Sequence, residues 1–188
     1  MKFLRLTDTK RANELTELLH YSYASDEALK IHFAAATITA GQVAAHISDT
    51  PTFVLETDDQ EMIATASVRL PWSQNPGPFH LPHLGWVATN PKYGHQGYAR
   101  QIITEVLLNF VKPELAAPGV SLGTAVEHPW LESFYQSLGF VNVDTVRLFP
   151  DHQTAYLIKS LNDKRLKAVQ DPYLQDVLEK HVLNTITR

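Results

Sequence analysis

LGWVATNPKYGHQGYARQIITEVLLNF, Leu84 to Phe110, is the stretch from which the fold can be read. Leu84 to Thr89 has the composition of a strand, and Asn90-Pro91 stops it, because proline supplies no ladder donor. Lys92 to Gln96 is a short polar loop. Gly97 then opens a helix on which Ala99, Ile102, Ile103, Val106, Leu107 and Phe110 recur at helical spacing, and Lys112-Pro113 closes it. A strand, a glycine-bearing loop and a helix N-terminus in succession make an anion site. The N–H groups of the first helical turn have no acceptor within the helix, and the helix dipole favours negative charge there. Small residues at Gly94, Gly97 and Ala99 let a phosphate approach the backbone. Locally this is a phosphate turn; the rest of the chain says whose phosphate it holds.

A chain of 188 residues suits one compact domain with room for a small appendage. An apolar content of 44% and a charged content of 19% are those of a globular protein. A formal net charge of −4 without a long basic run argues against nucleic acid or an anionic membrane as partner. There is no cysteine, which removes disulfides, thiolate metal sites and a cysteine nucleophile. Met1-Lys2-Phe3-Leu4-Arg5 leads into no apolar signal-like run, so a cytoplasmic location is expected. His80, His83, His95 and His128 match no tight ligand spacing, and no metal is expected.

In chain order, Phe3 to Leu6 reads as a first strand. Asp8 or Thr9 caps a helix with Ala12, Leu15, Leu18 and Leu19 on one face. Ser25-Asp26-Glu27 reads as a second helix start with Leu29, His32 and Phe33 inward, and Thr39 with Gln42 as a capping box for a third helix carrying Val43, Ala44 and Ile47. Thr52 to Glu56 and Met62 to Leu70 form a hairpin about Thr57-Asp58-Asp59-Gln60. Pro71 to Pro82, with four prolines and Trp72, reads as an irregular loop, either a binding loop or a surface excursion. Val120 to Val126, Phe140 to Val143 and Thr154 to Leu161 read as later strands. Between the first two lies a helix with Trp130, Leu131, Phe134, Tyr135 and Leu138, closed by Gly139. Asp171-Pro172 starts a last helix whose face of Tyr173, Leu174, Val177, Leu178 and Val182 needs a cover, from its own domain or from a second copy. The order gives an α/β (α+β) fold: a mixed sheet with helices on both faces and an extra C-terminal helix.

Two motifs taken together name a ligand. Asn90-Pro91-Lys92-Tyr93 leads into Gly94-His95-Gln96-Gly97-Tyr98-Ala99, and Phe134-Tyr135-Gln136-Ser137-Leu138-Gly139-Phe140 follows at the end of the later helix. The pair resembles the GNAT superfamily of N-acetyltransferases, whose central signature is a strand ending near a proline, then Gln/Arg-x-x-Gly-x-Gly/Ala, then a long helix. The family's later helix bears Phe/Leu-Tyr and ends Leu-Gly-Phe. The resemblance runs from Phe3 to Leu161 and implies a GNAT domain over 1–161, a mostly antiparallel central sheet, and a helical extension over 162–188. Four positions depart from the family. Gly94 replaces a Gln or Arg, His128 and Leu131 stand for Asn and Ala, and Gly85 stands where many relatives carry a strand glutamate used as base.

The resemblance implies acetyl-CoA as acyl donor and direct transfer to a primary amine in a ternary complex. The backbone of Val87, Ala88 and Thr89 would pair with the pantetheine arm. The amides of His95, Gln96, Gly97, Tyr98 and Ala99, with Gly94 and Arg100, would hold the pyrophosphate, with His128 a further cofactor contact. Tyr135 would protonate the leaving thiolate, and a strand N–H, that of Val87, would meet the oxyanion. Candidates for the base are His83, Glu127 and His80, with His83 favoured because histidine titrates nearest neutrality. The acceptor is a small molecule or a protein amine. A longer acyl group, and a non-catalytic CoA-binding module, are the alternatives. The last helix gives a reason to expect a homodimer.

Overall fold

The computed structural model describes residues 1–186; Thr187, Arg188 and the side chains of residues 182–186, Val182 among them, lie outside the described residues. The chain divides into two compact units, Met1–Val68 with Leu84–Glu114 and Arg69–His83 with Leu115–Arg188. Strands and helices are mixed throughout, and the expected α/β class with mostly antiparallel strands is observed.

In the first unit, strands β1 (Lys2–Leu6), β2 (Thr52–Glu56), β3 (Met62–Arg69) and β4 (His83–Thr89) lie in that order. The β1–β2 and β2–β3 pairs are antiparallel. The apolar spacing read from the sequence places α1 (Ala12–Tyr23) and α2 (Ala40–Asp49). Leu15, Leu19 and Val43 are fully buried with Val54 and Ala88 in one cluster. Asp8 accepts from Lys10 N at 2.9 Å and caps a 3-10 turn that runs into α1. Thr39 and Gln42 form the capping box in both directions.

The second expected helix differs. Ala24–Leu29 is a 3-10 turn that ends where Lys30 enters the left-handed region at φ 60°. The turn stops before His32 and Phe33, Leu29 is exposed, and Ile31 takes the buried position instead. Helix α3 (Tyr98–Val106) continues as a π turn, Leu107–Val111, in which Lys112 N bonds Leu107 O at 3.0 Å, immediately before Pro113.

In the second unit, β5 (Gly119–Ala125), β7 (Thr154–Ser160) and β6 (Val141–Val146) lie in that order with antiparallel pairings. Helix α4 (Leu131–Gln136) ends as the sequence indicates. Gly139 stands at φ 84°, Gly139 N bonds Gln136 O at 2.8 Å and Phe140 N bonds Tyr135 O at 3.1 Å, the paired bonds of a left-handed helix cap. Pro71 to Pro82 is irregular, yet Phe79 and Leu81 within it are fully buried, so the segment contributes core. After the short α5 (Asp163–Leu166), Asp171 Oδ1 accepts from Leu174 N at 2.7 Å and α6 (Pro172–Ile186) begins. Leu174 and Val177 pack with Phe79, Leu81, Ile158 and Leu166. The unit's own residues therefore cover Tyr173, Leu174, Val177 and Leu178 of the apolar face that gave a reason to expect a second copy. No helix among the described residues is long and apolar enough to cross a membrane.

Candidate active site

The first unit holds the strand–loop–helix segment. Asn90 N bonds Ile63 O at 2.8 Å and the Asn90 side chain accepts from Lys92 N at 3.0 Å. Lys92 Nζ reaches both oxygens of Glu61 at 2.9 Å, and Tyr93 OH donates to Glu61 Oε2 at 2.7 Å. The loop is thereby fastened to β3 before it turns. His95 (φ 59°) and Gly97 (φ 84°) both adopt left-handed backbone, and no side chain caps α3 at Gly97. Left-handed residues at the entrance to an uncapped helix turn successive amides outward, the geometry of an anion cradle. Gly94 has a local reason to be glycine: a Cβ there would stand 3.1 Å from Pro91 O. The family's Gln or Arg at this position is replaced where the turn is tight.

Val87, Ala88 and Thr89 end β4. Tyr23 OH donates to Val87 O at 3.3 Å and Ser22 Oγ to Thr89 O at 2.7 Å, so the last turn of α1 holds this edge of the strand. Between Gly85 and Val87, Trp86 sits at φ 48°, a backbone region that a bulky side chain rarely enters. Its ring stacks on His46 of α2 at a centroid distance of 3.6 Å, which fixes the distortion in place. Trp86, Ser22, Tyr23 and His46 are absent from the sequence-based site. A left-handed tryptophan inside a strand leaves no mark in composition or spacing.

The second unit holds Tyr135 on α4. The side chain is buried, and burial alone raises its pKa well above the usual phenol range. At neutral pH it is a protonated donor. His128, just before α4, is also buried and meets Trp130 edge-to-face at 4.9 Å.

Each of the three candidate bases has a partner within its own unit. His83 is 5% exposed, and its Nδ1 shares a hydrogen bond with Ser121 Oγ at 2.9 Å. Burial first, and the Arg69 charge second, lower its pKa to about 3. A histidine so weakly basic is neutral at pH 7 and a poor acceptor for an ammonium proton, which weighs against His83 as the general base. Both carboxylate oxygens of Glu127 accept from Gln153 N, at 3.0 and 2.9 Å. His80 Nδ1 lies 3.4 Å from Asp171 Oδ2, on the residue that caps α6. Gly85, where the family resemblance leads one to expect an acid, is not forced by packing: a Cβ there would make an ordinary 3.5 Å contact with Ser67 Oγ.

The family profile described as Acetyltransferase (GNAT) domain matches residues 48–142. This chain is a GNAT-family N-acetyltransferase. The S-(2-succino)cysteine N-acetyltransferase of Bacillus subtilis (strain 168) is 35% identical over 157 residues, 84% of this chain and 94% of that protein. The S-alkylcysteine N-acetyltransferase of the same organism is 31% identical, over 72% of this chain and 76% of its own length. Among solved structures, the ribosomal-protein-S18-alanine N-acetyltransferase of Escherichia coli superposes with a TM-score of 0.65 at 16% identity, covering 86% of this chain and 94% of that one. The protein yncA of Salmonella typhimurium, solved with its cofactor acetyl-CoA, gives 0.65 at 15% identity with the same coverages. Those structural likenesses establish the GNAT fold. As a GNAT N-acetyltransferase, the chain is an enzyme, and the alternative of a non-catalytic module falls away.

Proposed function

We propose that this enzyme transfers the acetyl group of acetyl-CoA to the α-amine of an S-substituted cysteine. The observation that carries the reading is the match to two enzymes named for such acceptors, one of them over 94% of its length. Acetyl-CoA is named with the structural neighbour yncA, and the uncapped N-terminus of α3 behind two left-handed residues suits its pyrophosphate. The amides of His95 to Ala99, with Gly94 and Arg100, hold the phosphates, and β4 from Val87 to Thr89 carries the pantetheine arm.

The amine nitrogen attacks the thioester carbonyl, and the oxygen that becomes negative is met by the Val87 N–H. The tetrahedral intermediate collapses with cleavage of the C–S bond. The thiolate takes the phenolic proton of Tyr135, which burial has kept in place for that purpose. The proton lost by the nitrogen leaves to solvent, and Tyr135 recovers its own from solvent after release. An α-amine is a weaker base than a lysine-type amine, so less help is needed to free its lone pair. Glycine at position 85 and a core histidine at 83 fit that demand.

The cofactor half of the reading is tested by thermal unfolding. Acetyl-CoA at about 100 times its dissociation constant is expected to stabilise the protein by about 2.7 kcal/mol, with CoA also stabilising. An adenine nucleotide without pantetheine is expected to do less. Equal melting temperatures with and without either CoA species would remove the cofactor assignment.

A further inference from the structure

Arg69 ends β3 and is half-buried. Its Nη1 donates to Asn75 Oδ1 at 3.1 Å, and among the described residues no carboxylate pairs with it. A guanidinium presents five donors in a rigid fork, so most of this group's capacity is unused by the chain itself. Arg11 shows the usual arrangement: its Nη1 reaches Glu56 at 2.7 Å, and Nε and Nη2 reach Glu14 at 3.1 and 2.8 Å. The groups that sense the Arg69 charge are His83 and Tyr156, both without negative charge at neutral pH. Asp144, which also acts on Tyr156, is already bonded by Tyr173 OH at 2.5 Å.

The surroundings are fixed. Ser73 N and Oγ both bond Leu70 O, at 3.0 and 2.7 Å, and Phe79 and Leu81 are fully buried. Gly77 lies so close to His83 that a Cβ there would come within 2.5 Å of His83 Cβ. The segment that holds Asn75 beside Arg69 is thus anchored on both sides of Asn75. Strand alternation puts Arg69 on the same face of β3 as Ser67. The buried Ser67 hydroxyl has no hydrogen-bond partner among the described residues and stands 3.5 Å from a Cβ built at Gly85. A half-buried guanidinium that has no counter-ion among the described residues has the charge and the donor fork to receive a carboxylate.

We propose that Arg69 binds a carboxylate of the acceptor and so selects amino acids over simple amines. The inference rests on the acceptor class proposed above. The carboxylate is either the one beside the reacting amine or one on the sulfur substituent. Three acceptors separate these: S-benzylcysteine carries the first, S-(carboxymethyl)cysteamine the second, and S-benzylcysteamine neither.

Arg69→Gln is expected to lower kcat/KM by about 10- to 100-fold for the carboxylate-bearing acceptor that uses the site, mainly through KM. The rate with S-benzylcysteamine and the KM for acetyl-CoA should stay unchanged. Arg69→Lys, which keeps the charge and loses the fork, should fall between. A loss confined to S-benzylcysteine assigns the α-carboxylate, and one confined to S-(carboxymethyl)cysteamine assigns the substituent. Equal losses on all three acceptors, a raised KM for acetyl-CoA, or no change would overturn the proposal. Calorimetric binding of both carboxylate-bearing acceptors gives a readout independent of turnover. If the wild type binds either one, Arg69→Gln and Arg69→Lys weaken that binding, and no acceptor is turned over, the carboxylate site stands and the proposed acceptor class fails. Absence of both binding and turnover with these acceptors overturns both.

Discussion

Tyr135→Phe is expected to lower kcat by about 10²- to 10⁴-fold, the range for loss of a positioned general acid. Two facts about one side chain support the proposed acid role. Its phenol is buried, and burial is the one influence that moves its pKa, upward, so the proton is present at every working pH. Phenylalanine fills the same space, because the ring already packs against Phe134 and Phe140 at centroid distances of 5.2 and 6.1 Å. The fold and acetyl-CoA affinity should therefore survive, and the loss should appear in kcat. Steady-state kinetics with thiol detection, beside calorimetry for acetyl-CoA, separates the terms. Turnover equal to wild type would take Tyr135 out of the reaction. Loss of acetyl-CoA binding would make it a cofactor contact instead.

Leu174→Ala is expected to destabilise the protein by about 2–5 kcal/mol, the range for truncating a fully buried leucine. Leu174 is fully buried in the cluster that α6 shares with Phe79, Leu81 and Ile158. Denaturant unfolding reads the loss. The same account predicts a melting temperature independent of protein concentration, since the chain's own unit covers this helix face. A loss much below that range, or a melting temperature that rises with concentration, would mean that a second copy covers the face.

Local signals carried most of the fold. Thr39 with Gln42, Asp171 before Pro172, and Gly139 after Leu138 each mark a helix end by chemistry confined to a few residues, and each end lies where those residues put it. What sequence reading missed depends on partners far along the chain. Lys30 ends a 3-10 turn because Ile31, not Leu29, reaches the core. The proline loop reads as a binding loop or a surface excursion until Phe79 and Leu81 are seen buried against α6. His83 illustrates the same point at the site. Its titration near neutrality made it the favoured base, but that property belongs to an exposed imidazole. Burial, and after it the Arg69 charge, lower the basicity on which the choice rested. Arg69, in turn, is one more strand-end cation in the sequence, and only the absence of a carboxylate beside it among the described residues sets it apart.

The central claim concerns the acceptor. Thiol release from acetyl-CoA, with product mass and site of acetylation determined, should be measured over S-alkylcysteines, S-(2-succino)cysteine, spermidine and a peptide with an N-terminal alanine. Spermidine and the alanine peptide stand for the acceptors named for two structural neighbours of the same fold. The account predicts the highest kcat/KM with an S-substituted cysteine and a single acetyl group on its α-nitrogen. A higher kcat/KM with spermidine or the peptide, or an S-substituted cysteine left unmodified, would contradict it.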